Sequence, residues 1–319
     1  MKIGFHASHE QFSPRTLLSH VIAAEQAGFD AAMCSDHLMP WSREQGHSGY
    51  TWSWLGAAMH ATALSFGMVT APGYRYHPVI LAQAAATLAE MFEGRLWVAV
   101  GSGEALNEHI TGEKWPPKDE RNARLVECAT IMRALWAGET VTHRGHVTAV
   151  EARVYSLPRE APKLIGAAIT EKTAAWMGGW ADGMITVSGP SDRMQRVITA
   201  FRENGGEGKP VLLQAKHSWA KSESEALEGA MEQWRTNVFP SPVAADLTMP
   251  EHFEELAASV SEDQMKESVR ISSDLSQHAD WIRQDMELGC DALYIHNVNR
   301  KQLEFVEAFG EKVLPVVRK

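Results

Sequence analysis

Eight short apolar runs, each four to six residues long, recur along this chain, and most are followed by a segment of helical pattern. They are Ile3–Ala7, Ala31–Cys34, Ser65–Thr70, Leu96–Val100, Lys163–Ala167, Gly183–Val187, Val211–Lys216 and Ala292–His296. Runs this short and this uniformly apolar read as strands buried on both faces, which is the habit of parallel sheets covered by helices. Eight strand–helix repeats predict a (β/α)8 TIM barrel of the α/β class. A doubly wound open sheet would need a reversal of strand order that nothing in the chain marks.

The intervening segments fit this reading. Pro14–Ala27 reads as a helix, with proline in its first turn and Gly28 just past its end. Val141–His143 and Val147–Val150 flank Arg144-Gly145-His146 and predict a small hairpin outside the repeat. A long, mostly helical insertion, about residues 220–275, separates the seventh strand from the eighth; Glu251–Ser272 within it is polar and ambiguous. No linker divides the chain, so residues 1–319 are expected to form one domain.

The net charge of −10 and the pI near 5.8 argue against a nucleic-acid or anionic-membrane surface. Cys34, Cys128 and Cys290 lie far apart in apolar segments with no zinc-type spacing, so reduced core thiols in a cytoplasmic protein are expected. No signal peptide and no apolar run of membrane-spanning length is visible.

A barrel carries its chemistry at the C-terminal ends of its strands. The stretch Gly101–Leu125 (GSGEALNEHITGEKWPPKDERNARL) follows the fourth strand, and its two glycines allow a tight turn that presents Glu104 at the rim. The same rim collects His6 to Glu10, Asp36, His37, Trp41, Thr70 to Tyr76, Asn107, Ala167 to Lys172, Ser188-Gly189 and His296-Asn297. Read by themselves, His37 could cap a loop, Trp41 could be ordinary packing, and Glu104 and Asn107 could serve a helix start.

In order, the blocks ASHEQFSPR (Ala7–Arg15), SDHLMPW (Ser35–Trp41), RYHPVILAQA (Arg75–Ala84), GSGEALNE (Gly101–Glu108), WPPKDERNARL (Trp115–Leu125) and ADGMITVSG (Ala181–Gly189) span most of the chain. Together they resemble the bacterial luciferase-like flavin and deazaflavin oxidoreductases, and most closely the coenzyme F420-dependent glucose-6-phosphate dehydrogenases. The resemblance implies a TIM barrel with the ring of F420 or FMN in its mouth. It implies that Asp36 contacts the ring, His37 is the acid/base beside a small-molecule substrate, and Trp41 stacks in the substrate pocket. Glu104 would assist near the ring, with Glu10 as a further polar wall. Ser102, Gly103 and Asn107 would line the cofactor site, and a non-proline cis peptide would join Met68 to Val69 ahead of Thr70. A homodimer through the helices about Thr51–Ala63 and Val79–Phe92 is also implied.

Two departures from the family pattern bear on the ligands. A lysine that holds the sugar phosphate in the relatives follows the glycine of the turn after the sixth strand; here Ser188-Gly189 is followed by Pro190. The insertion offers Glu255 and Ser268 where cations are expected, with Lys266 and Arg270 out of register. Glucose 6-phosphate is therefore not expected to be the substrate, since a phosphate dianion needs charge-assisted partners. After the fifth strand a GGP-like turn is replaced by Ala167-Ala168-Ile169-Thr170, where helix-start amides and Thr170 could hold the phosphate of either cofactor. Retention of His37, Trp41 and Glu104 favours the deazaflavin and hydride transfer. The alternatives are an FMN-dependent monooxygenase or reductase, a non-catalytic flavin-binding protein, and a metal-dependent hydrolase using His6, His37 and His296. The last lacks the HxH pair common at a first barrel strand, so no metal is expected.

Overall fold

The computed structural model describes residues Met1–Arg318. All eight expected strands form: β1 Lys2–Ala7, β2 Ala31–Ser35, β3 Ser65–Thr70, β4 Leu96–Val100, β5 Lys163–Ala167, β6 Gly183–Val187, β7 Val211–Ser218 and β8 Ala292–Asn297. Each pairs in parallel with its sequence neighbours, and β8 pairs with β1, so the sheet closes into a (β/α)8 barrel. Closure rules out the open doubly wound sheet.

The barrel interior alternates with an outer core, as a pleated strand requires. Ala31, Met33, Ala99, Ile165, Ile185, Leu212, Ala292 and Tyr294 form an inner cluster, joined by Val69, Trp97 and Ala167. Trp97 Nε1 donates to the Tyr294 hydroxyl across the interior at 3.0 Å. Gly67 makes this possible: a Cβ there would lie 1.7 Å from the Trp97 ring. The residues between the inner ones face the helices and build the outer core.

The helix after β1, α1 (Pro14–Gln26), starts where Ser13 Oγ accepts the Thr16 amide at 3.3 Å. It buries Leu17, His20, Val21 and Ala24 on one helical stripe. Next come α2 (Thr51–Ala61) and α3 (Pro78–Met91). Trp52 and Trp54 of α2 are both buried. A four-residue helix, α4 (Ala105–Glu108), and the long α5 (Lys118–Trp136) follow β4, α6 (Glu171–Gly178) follows β5, and α7 (Ser191–Phe201) follows β6. The hairpin pairs Val141–Arg144 with Thr148–Ala152, away from the barrel sheet.

The insertion is helical where expected, and it adds a two-residue strand, Arg270–Ile271, that pairs with the end of β7. The polar Glu251–Ser272 stretch holds the helices Pro250–Ala257 and Glu262–Ser268. The helix Glu223–Trp234 packs Ala230 and Trp234 against Met265, Val269 and Val298. The insertion folds back over the barrel mouth: Ala105 N donates to Ala245 O at 2.9 Å, and Arg43 binds Glu254 through two nitrogens.

One backbone expectation is corrected. The Met68–Val69 peptide is trans, with no cis bond among the described residues. Through this point β3 keeps unbroken register with both neighbours, Cys34↔Met68 and Ser35↔Val69 on one side, Val69↔Ala99 and Thr70↔Val100 on the other. A trans chain continues that ladder, sending Met68 outward into the outer core and Val69 inward.

Candidate active site

The expected rim residues converge, and their strongest contact is between the loops after β1 and β2. His37 Nδ1 lies 2.8 Å from Glu10 Oε1. Ser8 Oγ donates to Glu10 Oε2 at 2.8 Å, and Ser35 Oγ donates to Oε1 at 2.9 Å. Glu10, only 2% exposed, is thus the carboxylate set directly against the His37 imidazole. Burial lowers the pKa of His37, but the charge and hydrogen bond of Glu10 outweigh it, and the imidazole ends above 6.5. For Glu10, burial acts upward and His37 acts downward, and His37 prevails. With Nδ1 directed at Glu10, Nε2 is the nitrogen left to exchange a proton.

Trp41 meets the His37 ring edge-on at 5.1 Å between centroids, and Phe253 of the insertion meets Trp41 the same way at 5.1 Å. The pair forms an apolar roof beside the imidazole. Below lie His6 and His9, buried and held near pKa 4 by desolvation. His296 stacks on His6 at 4.3 Å and hydrogen-bonds Gln11 at 2.9 Å. It is buried beneath the mouth, and burial keeps it well below 6.5, so it belongs to a neutral floor.

Glu104 sits at the end of the turn after β4, where Gly103 has φ +78°. A Cβ on Gly103 would press on the Glu108 side chain at 3.0 Å, so glycine lets the turn lie against α4. Glu104 Oε2 is buried without a hydrogen-bond partner. Burial raises its pKa, opposed in part by the His37, Lys118 and Arg121 charges. Burial that favours the neutral form suits a carboxyl that donates a hydrogen bond or a proton to a group in the mouth. Ser102 Oγ accepts from Lys118 Nζ at 2.5 Å.

Asp36 is 3% exposed, with both carboxylate oxygens occupied. Thr70 donates to Oδ2 at 3.0 Å and Tyr76 to Oδ1 at 3.2 Å, while Arg75 lies 3.5 Å from Oδ2. Thr70 therefore supports Asp36. Asn107 directs Oδ1 at the Leu38 amide, 2.8 Å away, and at the Met39 amide, 3.4 Å away. After β5, Ala167 faces the barrel interior, whereas Ala168 packs into the outer core. Thr170 caps α6, accepting the Thr173 amide at 3.3 Å. Lys172 and Thr173 line a groove of about 380 Å³ with Lys118, Asn122 and Trp176. Of the cations of the insertion, Arg270 is held by the buried Asp285, and Lys266 lies on the exposed surface beside Glu262.

The profile of the family described as "Luciferase-like monooxygenase" matches residues 1–292. The chain belongs to this family. It is 34% identical over 329 aligned residues to the F420-dependent glucose-6-phosphate dehydrogenase of Beutenbergia cavernae, with 100% of this chain and 98% of the relative covered. The solved structure of an F420-dependent secondary alcohol dehydrogenase, in complex with an F420-acetone adduct, superposes with a TM-score of 0.92. It is 30% identical to this chain, with 100% of this chain and 99% of that one covered. The type II Baeyer-Villiger monooxygenase from Pseudomonas putida, in complex with FMN, shares the fold at a TM-score of 0.71 and 16% identity; it covers 99% of each chain. This luciferase-like chain is an enzyme scaffold of the flavin and deazaflavin oxidoreductase type.

Proposed function

We propose that this protein moves a hydride between a small alcohol and a deazaflavin of the F420 type. The observation that carries the reading is the buried His37–Glu10 pair set beside the buried, unpartnered carboxyl of Glu104. A flat ring in the mouth fits these residues: Val69 and Ala167 give it an apolar floor, and Glu104 gives it a polar edge. When bound, the deazaflavin supplies the hydride acceptor or donor.

The chain's own residues handle protons and position. In alcohol oxidation, neutral His37 takes the hydroxyl proton at Nε2, and Glu10 stabilises the imidazolium that forms. Glu104 holds a proton for the ring edge. Trp41, backed by the buried Phe253, excludes water and holds the reacting carbon. Lys118 and Lys172, lining the groove beyond Ser102, suit the anionic end of the cofactor. Pro190 in the turn after β6 and the pairing of Arg270 with the buried Asp285 speak against glucose 6-phosphate as substrate.

The test is to titrate the purified protein with F420 and with FMN while following fluorescence. F420 should then be supplied with 2-propanol to follow ring reduction. Binding of FMN alone, with oxygen uptake on reduction, would refute the deazaflavin reading and favour a monooxygenase. Two further readings are ours. The chain forms a homodimer through α2 and α3, where Ile80 and Met91 are exposed apolar residues, and a monomer by light scattering would refute it. It resides in the cytoplasm with Cys34, Cys128 and Cys290 reduced, which cell fractionation and thiol counting would check.

A further inference from the structure

The segment that carries His37 is gripped on both sides by consecutive residues of α4. On the C-terminal side, Asn107 Oδ1 accepts the amides of Leu38 at 2.8 Å and Met39 at 3.4 Å. On the N-terminal side, the grip runs through Arg75. Its Nη2 donates to the carbonyl of Asp36, one peptide before His37, at 2.8 Å. Arg75 is held in turn by Glu108: the backbone N–H of Arg75 donates to Glu108 Oε2 at 2.8 Å, and Nε lies 3.6 Å from Oε1. Arg75 also stacks on Tyr76 at 4.4 Å. The side chains of Arg75, Asp36 and Glu108 are at most 7% exposed.

We propose that Asn107 and Glu108, the latter acting through Arg75, are positioning residues that fix His37 against Glu10 by clamping the backbone before and after it. This deepens the role given to His37 above and rests on that reading for its catalytic meaning, although the geometry can be tested without it. His37 is on a loop, and a loop histidine would otherwise sample several orientations. Its 2.8 Å contact with Glu10 must be held to a few tenths of an ångström for the pairing that orients the ring to persist. The clamp arises from α4, four residues long, whose N-cap is Glu104. One short element thus places Glu104 at the mouth and aims His37.

The charged groups facing His37 are Glu10 from the loop after β1, Asp36 at the end of β2, Arg75 from the loop after β3, and Glu104 and Glu108 at the two ends of α4. The neutral His6 and His9 lie within its field. These define a test with an informative sign. The cofactor-free protein, labelled with nitrogen-15 in its histidines, is titrated by NMR, and the His37 resonance is identified by its loss in His37→Gln. Asn107→Ala changes no charge. If the clamp positions the imidazole, the His37 midpoint falls toward 6.5 as contact with Glu10 loosens. Arg75→Met gives a second reading should Asn107→Ala fail to fold. Removing a nearby cation would by charge alone raise the midpoint, whereas loss of position lowers it. An unchanged His37 midpoint in folded Asn107→Ala, or a rise in Arg75→Met, would overturn the proposal. So would an F420 affinity weakened more than about tenfold in Asn107→Ala with the midpoint unmoved, which would make Asn107 a cofactor contact. With F420 and 2-propanol, Asn107→Ala should lose about ten- to a hundredfold in kcat with little change in F420 affinity. Failure of the wild-type protein to bind F420 would refute the hydride-transfer reading while leaving the NMR result to decide the clamp.

Discussion

Replacing Glu108 with glutamine should leave stability on the acid side nearly unchanged and raise it on the alkaline side by about 3 kcal/mol. Glu108 is 2% exposed, and burial, only partly offset by Arg75, lifts its pKa from 4.5 to about 7. Between those two values the folded protein holds a proton that the unfolded chain has released. Stability contributed by the protonated group is therefore complete below about pH 4.5 and is lost as pH rises through about 7. At about 1.4 kcal/mol per pH unit, the displacement corresponds to about 3 kcal/mol. Glutamine keeps an oxygen able to accept the Arg75 amide and has no proton to lose. Urea unfolding of both proteins at several pH values from about 4.5 to 9 gives the difference curve directly. His6, His9, His20 and His278, held near 4, make stability rise with pH between about 4 and 6.5, but they do so in both proteins and cancel. A difference that opens between about pH 5 and 8 and then levels off is expected. Parallel curves, offset by a constant, would refute the reasoning and show that Glu108 stays charged throughout.

Other substitutions probe the rest of the site and the barrel. His37→Gln should lower kcat with F420 and 2-propanol by about 10²- to 10⁴-fold while leaving F420 affinity within about twofold; a loss in binding instead would make His37 a cofactor contact. Glu10→Gln removes the charge that raises the pKa of His37, so the acid limb of the alcohol-oxidation pH profile should move to lower pH, and an unmoved limb would show that His37 is not the titrating base. Gly67→Ala places a methyl 1.7 Å from Trp97 and should destabilise the barrel by about 1–3 kcal/mol or more in urea unfolding, with an unchanged midpoint counting against the packing argument.

The barrel was legible because each of its strands is a compact apolar run, and Leu96–Val100 and Lys163–Ala167 end at the residues expected. Arg270–Ile271 was not, since two residues in a polar stretch carry no periodicity and gain strand geometry only from the edge of β7. His37, Trp41 and Glu104 stood out through their sequence blocks. The pairing of Glu10 with His37 did not, because partners 27 positions apart are brought together by strand order and not by local pattern. Arg75 and Glu108 lay in plain view within the same blocks, but a buried charge declares itself only when the groups around it are known. The trans Met68–Val69 bond likewise depends on register with two neighbouring strands.

The roof over His37 is made from two distant parts of the chain, Trp41 from the loop after β2 and Phe253 from the insertion, which is fastened at its edge by Arg43 and Glu254. Proton handling is housed in the barrel loops, while the support behind Trp41 is written in a separate stretch. Exchange of that stretch among related chains would alter how Trp41 is held, and through Trp41 the shape of the pocket. A graft of residues 240–257 would change what backs Trp41, and it would reach α4 as well, through the Ala105–Ala245 hydrogen bond.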